Sequence, residues 1–188
     1  MSRSFPAALA VLLAAAPAAS ADEFTDTVQG ALSSYGKGDI DAAREDLDYA
    51  SKLLAALKSD ALAKFLPAAL PGWTRADSDD AAEASGFMGM LGGGTTASAT
   101  YDKDGKQVTV TLIADSPMVS GMAAMVSGIA SMNGGKPMRI QRTEFSDNEG
   151  DLQGVVGGKT MVTVGGDAAV EDKKAYIDAM DLTALASF

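Results

Sequence analysis

Apolar residues recur at a helical period in two stretches near the start of the chain. The first stretch contains Phe24, Val28, Ala31 and Tyr35 at steps of three and four, and glycines at 36 and 38 end it. The second stripe runs through Ile40, Ala43, Leu47, Ala50, Leu54 and Leu57. Asp39 stands where an N-cap is expected. The two stretches predict a helical hairpin over residues 22–66, with a short third helix that begins at Ser59.

These helices share a pattern of small, tyrosine and glycine positions with one known repeat. The pattern is small-x-x-x-Tyr-x-x-Gly-Asp, then Ala-x-x-x-Leu-x-x-Ala, and it is filled by Ala31, Tyr35, Gly38, Asp39, Ala43, Leu47 and Ala50. It resembles one tetratricopeptide-type helix pair over about residues 28–57. Repeat folds bury a core with about three units, and the sequence has no second copy. The alternative is a plain antiparallel hairpin that is docked on the rest of the domain.

Alternation of apolar and polar residues indicates strands in the second half. Residues 96–101 and 108–112 alternate, and Asp104-Gly105 between them is a strong hairpin signal. Further strands are predicted at 138–145, 152–156 and 160–164, with turns at 147–150 and at Gly157-Gly158. The hairpin-like links predict an antiparallel sheet of about five strands.

Two helices complete the predicted sheet domain. Asp115-Ser116-Pro117 is a helix start, because Ser116 is suited to accept an orphan N–H and Pro117 fits the first helical position. Residues 116–135 carry no charge, and their stripe of Met118, Met122, Met125, Ile129 and Met132 predicts a central packing helix. A C-terminal helix begins near Val170.

The expected fold class is therefore α+β: an N-terminal helical hairpin packed on or beside the sheet, with a central and a C-terminal helix. The predicted division is a signal peptide at residues 1–21, a helical hairpin at 22–66 and an α+β sheet domain at 67–188. Residues 76–83 read as a solvated helix start, and Trp73 as a core anchor. The order of elements over Trp73–Phe188 resembles the PsbP-like group of extracytoplasmic domains. That resemblance implies a fold and no site residues.

The first 21 residues predict export. Arg3, the apolar run Leu9–Ala16 and the small-x-small site Ala19-Ser20-Ala21 are typical of a secretory signal peptide. A retained N-terminal anchor is the alternative. With cleavage after Ala21, a periplasmic or secreted protein without a transmembrane segment is expected.

Composition excludes several kinds of chemistry. The net charge of −10 repels nucleic acid and anionic lipid. The chain contains neither Cys nor His, so it has no Ser-His or Cys-His catalysis and no His or Cys zinc site. A non-enzymatic protein is expected. An enzyme that uses carboxylates is the alternative, with Asp115 at one strand end and Glu144, Asp147 and Glu149 at another. The acidic residues at 77–83 and at 102–104 lack the spacing of a calcium loop.

The predicted functional surface is the loop Gly86–Gly94, of sequence GFMGMLGGG. Its apolar side chains would be unfavourable in water, so they tuck back onto the domain or bind a partner. The candidate partner-binding residues are Phe87, Met88, Met90 and Leu91. The sequence therefore predicts an exported, soluble binding protein of the cell envelope whose partner is an unknown protein or small ligand. The alternative is a Cu(I) protein, since the thioethers of Met88 and Met90 are soft ligands; no other cofactor is expected.

Overall fold

The computed structural model describes residues 19–77, 94–117, 119 and 136–188. The chain divides into two compact units, a helical unit that ends at Leu54 and a sheet unit from Ala55 to Phe188. The architecture is α+β, which confirms the predicted fold class. The three-part division by residue number stays a prediction.

Two helices form the helical unit, and the second of them continues beyond Leu54. Helix α1 spans Ala19–Gly36 and α2 spans Ile40–Ala63. The turn between them uses Gly38 at a φ of 82°, and the backbone N–H of Ala42 donates to Asp39 Oδ1 at 3.1 Å. Asp39 is therefore the predicted N-cap. The predicted third helix is wrong, because α2 runs through Ser59 without a break, and Ser59 Oγ donates to the carbonyl of Thr96 at 2.6 Å.

Within the described residues, seven antiparallel strands form one sheet in the order β1-β2-β3-β7-β6-β5-β4. The strands are β1 Thr74–Asp77, β2 Thr95–Lys103, β3 Lys106–Ala114, β4 Lys136–Ile140, β5 Thr143–Asn148, β6 Asp151–Val156 and β7 Thr160–Gly165. Helices α3 (Val170–Asp178) and α4 (Leu182–Leu185) follow. The sheet is antiparallel as predicted, with seven strands where about five were expected.

Two strands escaped the sequence pattern. Strand β1 occupies the start of the stretch that was expected to begin a helix, so Ala76 and Asp77 are extended and pair with β2. The single strand expected over 138–145 is a hairpin, with Gln141 and Arg142 at positive φ values of 47° and 69° in its turn. Glycine or asparagine normally supplies this conformation. Here Gln141 Nε2 donates to three carbonyls at the end of α3, which holds the turn in place.

The core lies on one face of the sheet, under the last part of α2, α3 and α4. Tyr176 of α3 is at its centre and contacts Trp73 edge-on, with ring centroids 5.6 Å apart, and Tyr101 at 4.2 Å. The hydroxyl of Tyr101 donates to the carbonyl of Pro67 at 2.6 Å. Trp73 is buried, so its predicted role as a core anchor is confirmed.

The second face of the sheet carries a polar row beside an apolar row formed by Ile113, Met161 and Val155. Five strands contribute one residue each to a continuous row, Ser98, Thr111, Thr163, Gln153 and Ser146, in which each residue is opposite the next. Ser98 and Thr111 share a hydrogen bond of 3.1 Å between their hydroxyls. At the far edge, β4 carries Pro137 and exposed charges, which disfavour pairing with another strand.

The predicted central helix is described only at its start. Pro117 and Val119 are helical, as the Ser116-Pro117 signal requires. Ser116 Oγ is buried and, within the described part of the chain, accepts no hydrogen bond, so the predicted capping bond is not found. The methionine stripe from Met118 to Met132 lies outside the described residues.

Candidate functional site

Large apolar side chains that are exposed in the described residues all belong to the two helices. We call five of them the apolar flank: Leu32, Tyr35, Ile40, Leu47 and Leu54, which are between 47% and 67% exposed. Tyr49 is exposed as well. Scattered exposed apolar residues are ordinary, whereas a contiguous exposed patch of them is typical of an interaction surface.

The apolar flank follows from how α1 and α2 pack. Ala43 and Ala50 of α2 are buried together with Ala31 of α1, because small side chains let two helices approach closely. Ile40, Leu47 and Leu54 are spaced by seven residues and form the neighbouring lane of the same stripe. We call Ala43 and Ala50 the alanine lane, which contacts α1. Ile40, Leu47 and Leu54 are the leucine lane, which lies beside it and is exposed to solvent.

Contacts between the helices fix their direction and their two sides. Glu23 near the start of α1 accepts a hydrogen bond of 2.7 Å from the Tyr49 hydroxyl, and Gly30 lies against Asp46, so the helices are antiparallel. Tyr49 is about 200° around α2 from Leu47. The Glu23–Tyr49 pair therefore marks the polar side of the helical unit, and the leucine lane marks the apolar side.

Charged residues border the apolar flank on the outer surface of α2. An open groove there is lined by Asp41, Arg44, Glu45, Asp46, Asp48, Tyr49 and Lys52. The hydrogen bond and the negative charge of Glu23 raise the pKa of Tyr49 above 10.0. Residues 22–54 contain eight acidic and three basic side chains, so the helical unit carries much of the negative charge.

Asp115 is the one predicted catalytic carboxylate with a charged partner among the described residues. Lys58 Nζ contacts its Oδ2 at 2.6 Å, and both side chains are partly exposed. Asp115 has a φ of 55°, and the buried hydroxyls of Ser116 and Thr96 near it have no hydrogen-bond partner in the described structure. Strained backbone and unsatisfied groups occur at functional sites. However, Ser116 is fully buried and out of reach of a substrate.

The other candidate acids do not assemble into a site. Asp147 accepts the backbone N–H of Gly150 at 2.8 Å and so stabilises a turn, and Glu144 stands opposite Arg139 in the backbone register of β4 and β5. Among residues 19–77, 94–117, 119 and 136–188, no group of three or more acidic side chains is placed to hold a metal ion. The carboxylates at 102–104 are included in that result.

The partner-binding residues that the sequence predicts belong to the loop Gly86–Gly94. Phe87, Met88, Met90 and Leu91 lie outside the described residues, so the partner-binding and Cu(I) hypotheses for them stay predictions. A Cu(I) titration of a Met88→Leu, Met90→Leu variant would test the Cu(I) hypothesis. If the two thioethers are ligands, the variant should bind Cu(I) more weakly than the unchanged protein. Three residues of the apolar flank, Ile40, Leu47 and Leu54, were visible in the sequence as part of the α2 stripe, where they are spaced by seven residues.

Comparisons of this chain with protein-family models, curated proteins and solved structures found no match. The tetratricopeptide-type and PsbP-like resemblances therefore stay predictions. In the described part of the chain, no helix has the length and apolar character needed to cross a membrane.

Proposed function

We propose that this chain is an exported, non-catalytic binding protein of the cell envelope whose working surface is the apolar flank of the helical unit. One observation carries the proposal. No large apolar side chain of the described sheet unit is exposed, whereas five on the helical unit remain exposed on a single hairpin. A surface of this kind is stabilised when a partner covers it.

The energetic reason is the free energy of burial. Fully burying one such side chain contributes about 1.5–3 kcal/mol. The five are only about half exposed, so covering them together still yields several kcal/mol before the entropy of association is subtracted. A protein partner with its own apolar surface fits this requirement better than a small ligand, since the described side chains of the flank are exposed along two helices.

The sequence supports a binding protein over an enzyme, and an exported protein over one that stays inside the cell. The chain has no Cys or His, which removes the commonest nucleophile and base pairs. The signal-peptide pattern at residues 1–21 supports export. Mass analysis of the protein recovered from the cells that make it tests this step: a chain that begins at Asp22 is expected, and a retained N-terminus would contradict it.

Site-specific photo-crosslinking tests the surface. A photo-reactive residue at Leu47 is expected to give adducts in the native compartment, whereas the same residue at the exposed Lys106 of the sheet unit is expected to give none. Both positions are exposed, so neither substitution disturbs a core. Adducts at Lys106 alone, or at neither position, would contradict the proposal.

A further inference from the structure

Strands β3 and β4 run in the same direction, although they are four places apart in the sheet. Each step of the order β3-β7-β6-β5-β4 is antiparallel, and an even number of reversals restores the direction. The chain between them, from Asp115 to Gly135, is therefore a crossover between two parallel strands of one sheet. A crossover of this kind passes over one face of the sheet.

The first face of the sheet is occupied by the helices that precede β1 and follow β7. Side chains of α2, α3 and α4 share one core with this face, namely Leu62, Tyr176, Ile177, Leu182 and Leu185 with Val110, Leu112, Leu152 and Val162. The apolar row of the second face, Ile113, Met161 and Val155, is not part of that core. The second face is therefore the one available to the crossover.

Burial on the second face follows a diagonal. Met161 of β7 is 8% exposed and Ser146 of β5 is 9% exposed. Met161 is opposite Ile113 at the end of β3, whereas Ser146 is level with the residue two places earlier in β3. Glu144 and Asn148, two residues to either side of Ser146, are exposed. The buried positions thus lie on a line from the end of β3 towards the start of β4.

The crossover has the length that this line needs. Lys136 at the start of β4 is level with Val110, four residues before Ala114 at the end of β3. The path from Ala114 to Lys136 therefore covers about 14 Å along the strands and about 19 Å across them, or about 24 Å in a straight line. A helix over residues 117–132, where the sequence predicts one, is about 24 Å long.

The sequence of the crossover suits one covered side and one open side. Ser120, Ser127 and Ser131 form a serine lane that lies about half a turn around the predicted helix from the methionine stripe. Ser116 and Val119 at the start of the crossover are fully buried. The chain therefore enters the interior of the sheet unit as soon as it leaves β3.

We infer that residues 117–132 form a helix that crosses the second face of the sheet from β3 to β4. Its methionine stripe packs on the apolar row of Ile113, Met161 and Val155, and its serine lane faces solvent. The sheet is then the middle of three layers. This inference concerns the sheet unit alone and goes beyond the proposed function. A sheet that is covered on both faces offers neither of them to a partner.

Pairs of engineered cysteines test the path, since the chain has no native cysteine. At about 1.5 Å per residue, Met122 falls over β7 and Ile129 over β5. With a short bifunctional thiol reagent such as dibromobimane, Met122→Cys is expected to crosslink with Met161→Cys, and Ile129→Cys with Ser146→Cys. The two crossed combinations, Met122→Cys with Ser146→Cys and Ile129→Cys with Met161→Cys, are displaced by about 10 Å along the helix and are the matched controls.

Thiol labelling of single cysteines tests which side of the helix faces the sheet. In the folded protein, Ser127→Cys is expected to react with a maleimide at least about tenfold faster than Met125→Cys, because a covered thiol reacts only when the structure opens. In urea the two rates are expected to be equal. Trp73 fluorescence verifies the fold of each variant. Val155→Cys with Met125→Cys is a third matched pair, at the middle of the path, and replaces any pair whose variant does not fold.

The outcomes decide the crossing without reference to the helical unit. Crosslinks in the matched pairs, together with slow labelling of Met125→Cys, support it. Crosslinks in the crossed pairs, no crosslink in any folded pair, or labelling of Met125→Cys as fast as that of Ser127→Cys would overturn it. Each of these results leaves the photo-crosslinking test at Leu47 unaffected, so the proposed function stands or fails separately.

Discussion

Tyr101, Leu112 and Tyr176 of the sheet unit are fully buried, whereas Ile40, Leu47 and Leu54 of the helical unit are about half exposed. The sheet unit buries its apolar face under α3, α4 and the end of α2, and its tyrosine hydroxyls bond to main-chain groups. The helical unit has a core of alanines and few large buried side chains. The difference teaches that the described part of the sheet unit covers its large apolar side chains, whereas the helical unit leaves five of them exposed.

The largest expected loss of stability comes from truncating a side chain in the core of the sheet unit. Leu112→Ala removes a side chain that is 0% exposed and is expected to lower the free energy of unfolding by about 2–5 kcal/mol. Trp73, the only tryptophan, reports unfolding of this unit by fluorescence in a urea titration. Leu47→Ala, at low protein concentration, is expected to change that free energy by less than about 0.5 kcal/mol. Equal losses for the two leucines would break the comparison.

A glycine in each unit sharpens the contrast in packing. A Cβ at Gly154 would lie 2.7 Å from the Phe145 ring, so Gly154→Ala is expected to cost about 2 kcal/mol through overpacking. Gly36 at the end of α1 has no neighbour within 4 Å of such a Cβ. Gly36→Ala is therefore expected to be neutral or slightly stabilising. Thermal melts of both variants measure this, and a stable Gly154→Ala protein would contradict the packing seen here.

Two adjacent lysines of α3 differ in burial, so replacing each of them should change the free energy of unfolding by a different amount. Lys173 Nζ donates to the Gly150 carbonyl at 2.7 Å and contacts Asp151 at 3.2 Å from a nearly buried position. Lys173→Met leaves that carbonyl without a donor and is expected to cost about 1.5 kcal/mol. Lys174 pairs with Asp178 at the surface, so Lys174→Met should stay within about 0.5 kcal/mol. Urea titrations of the two variants measure these free energies of unfolding. Equal free energies for both variants would contradict a structural role for Lys173.

The smallest expected effect is a loss of stability of the sheet unit at alkaline pH. Burial raises the pKa of Tyr176 above 10.0. The folded state therefore favours the protonated phenol, and its stabilising contribution is full below pH 10.0 and is lost as the pH rises through the folded pKa. Urea titrations between neutral and alkaline pH should show this loss, and Tyr176→Phe should reduce it. An unchanged pH profile in Tyr176→Phe would exclude Tyr176 as the cause.

Local signals predicted much of the fold and little of the site. The hairpin at Asp104-Gly105 and the cap at Asp39 were predictable because each depends on a residue and its immediate neighbours. The Gln141-Arg142 turn was not, since its positive φ values are held by contacts with α3, which lies far along the chain. β1 was missed because its four residues carry no alternation and pair only through the sheet.

The sequence by itself determined the single apolar stripe of α2, the strands that alternate and the turns that carry glycine. Only the tertiary structure decided which half of the stripe is buried. Helix α1 packs on the alanine lane because close approach of two backbones requires small side chains. The larger Ile40, Leu47 and Leu54 are thereby left exposed, and the candidate binding surface exists for that reason.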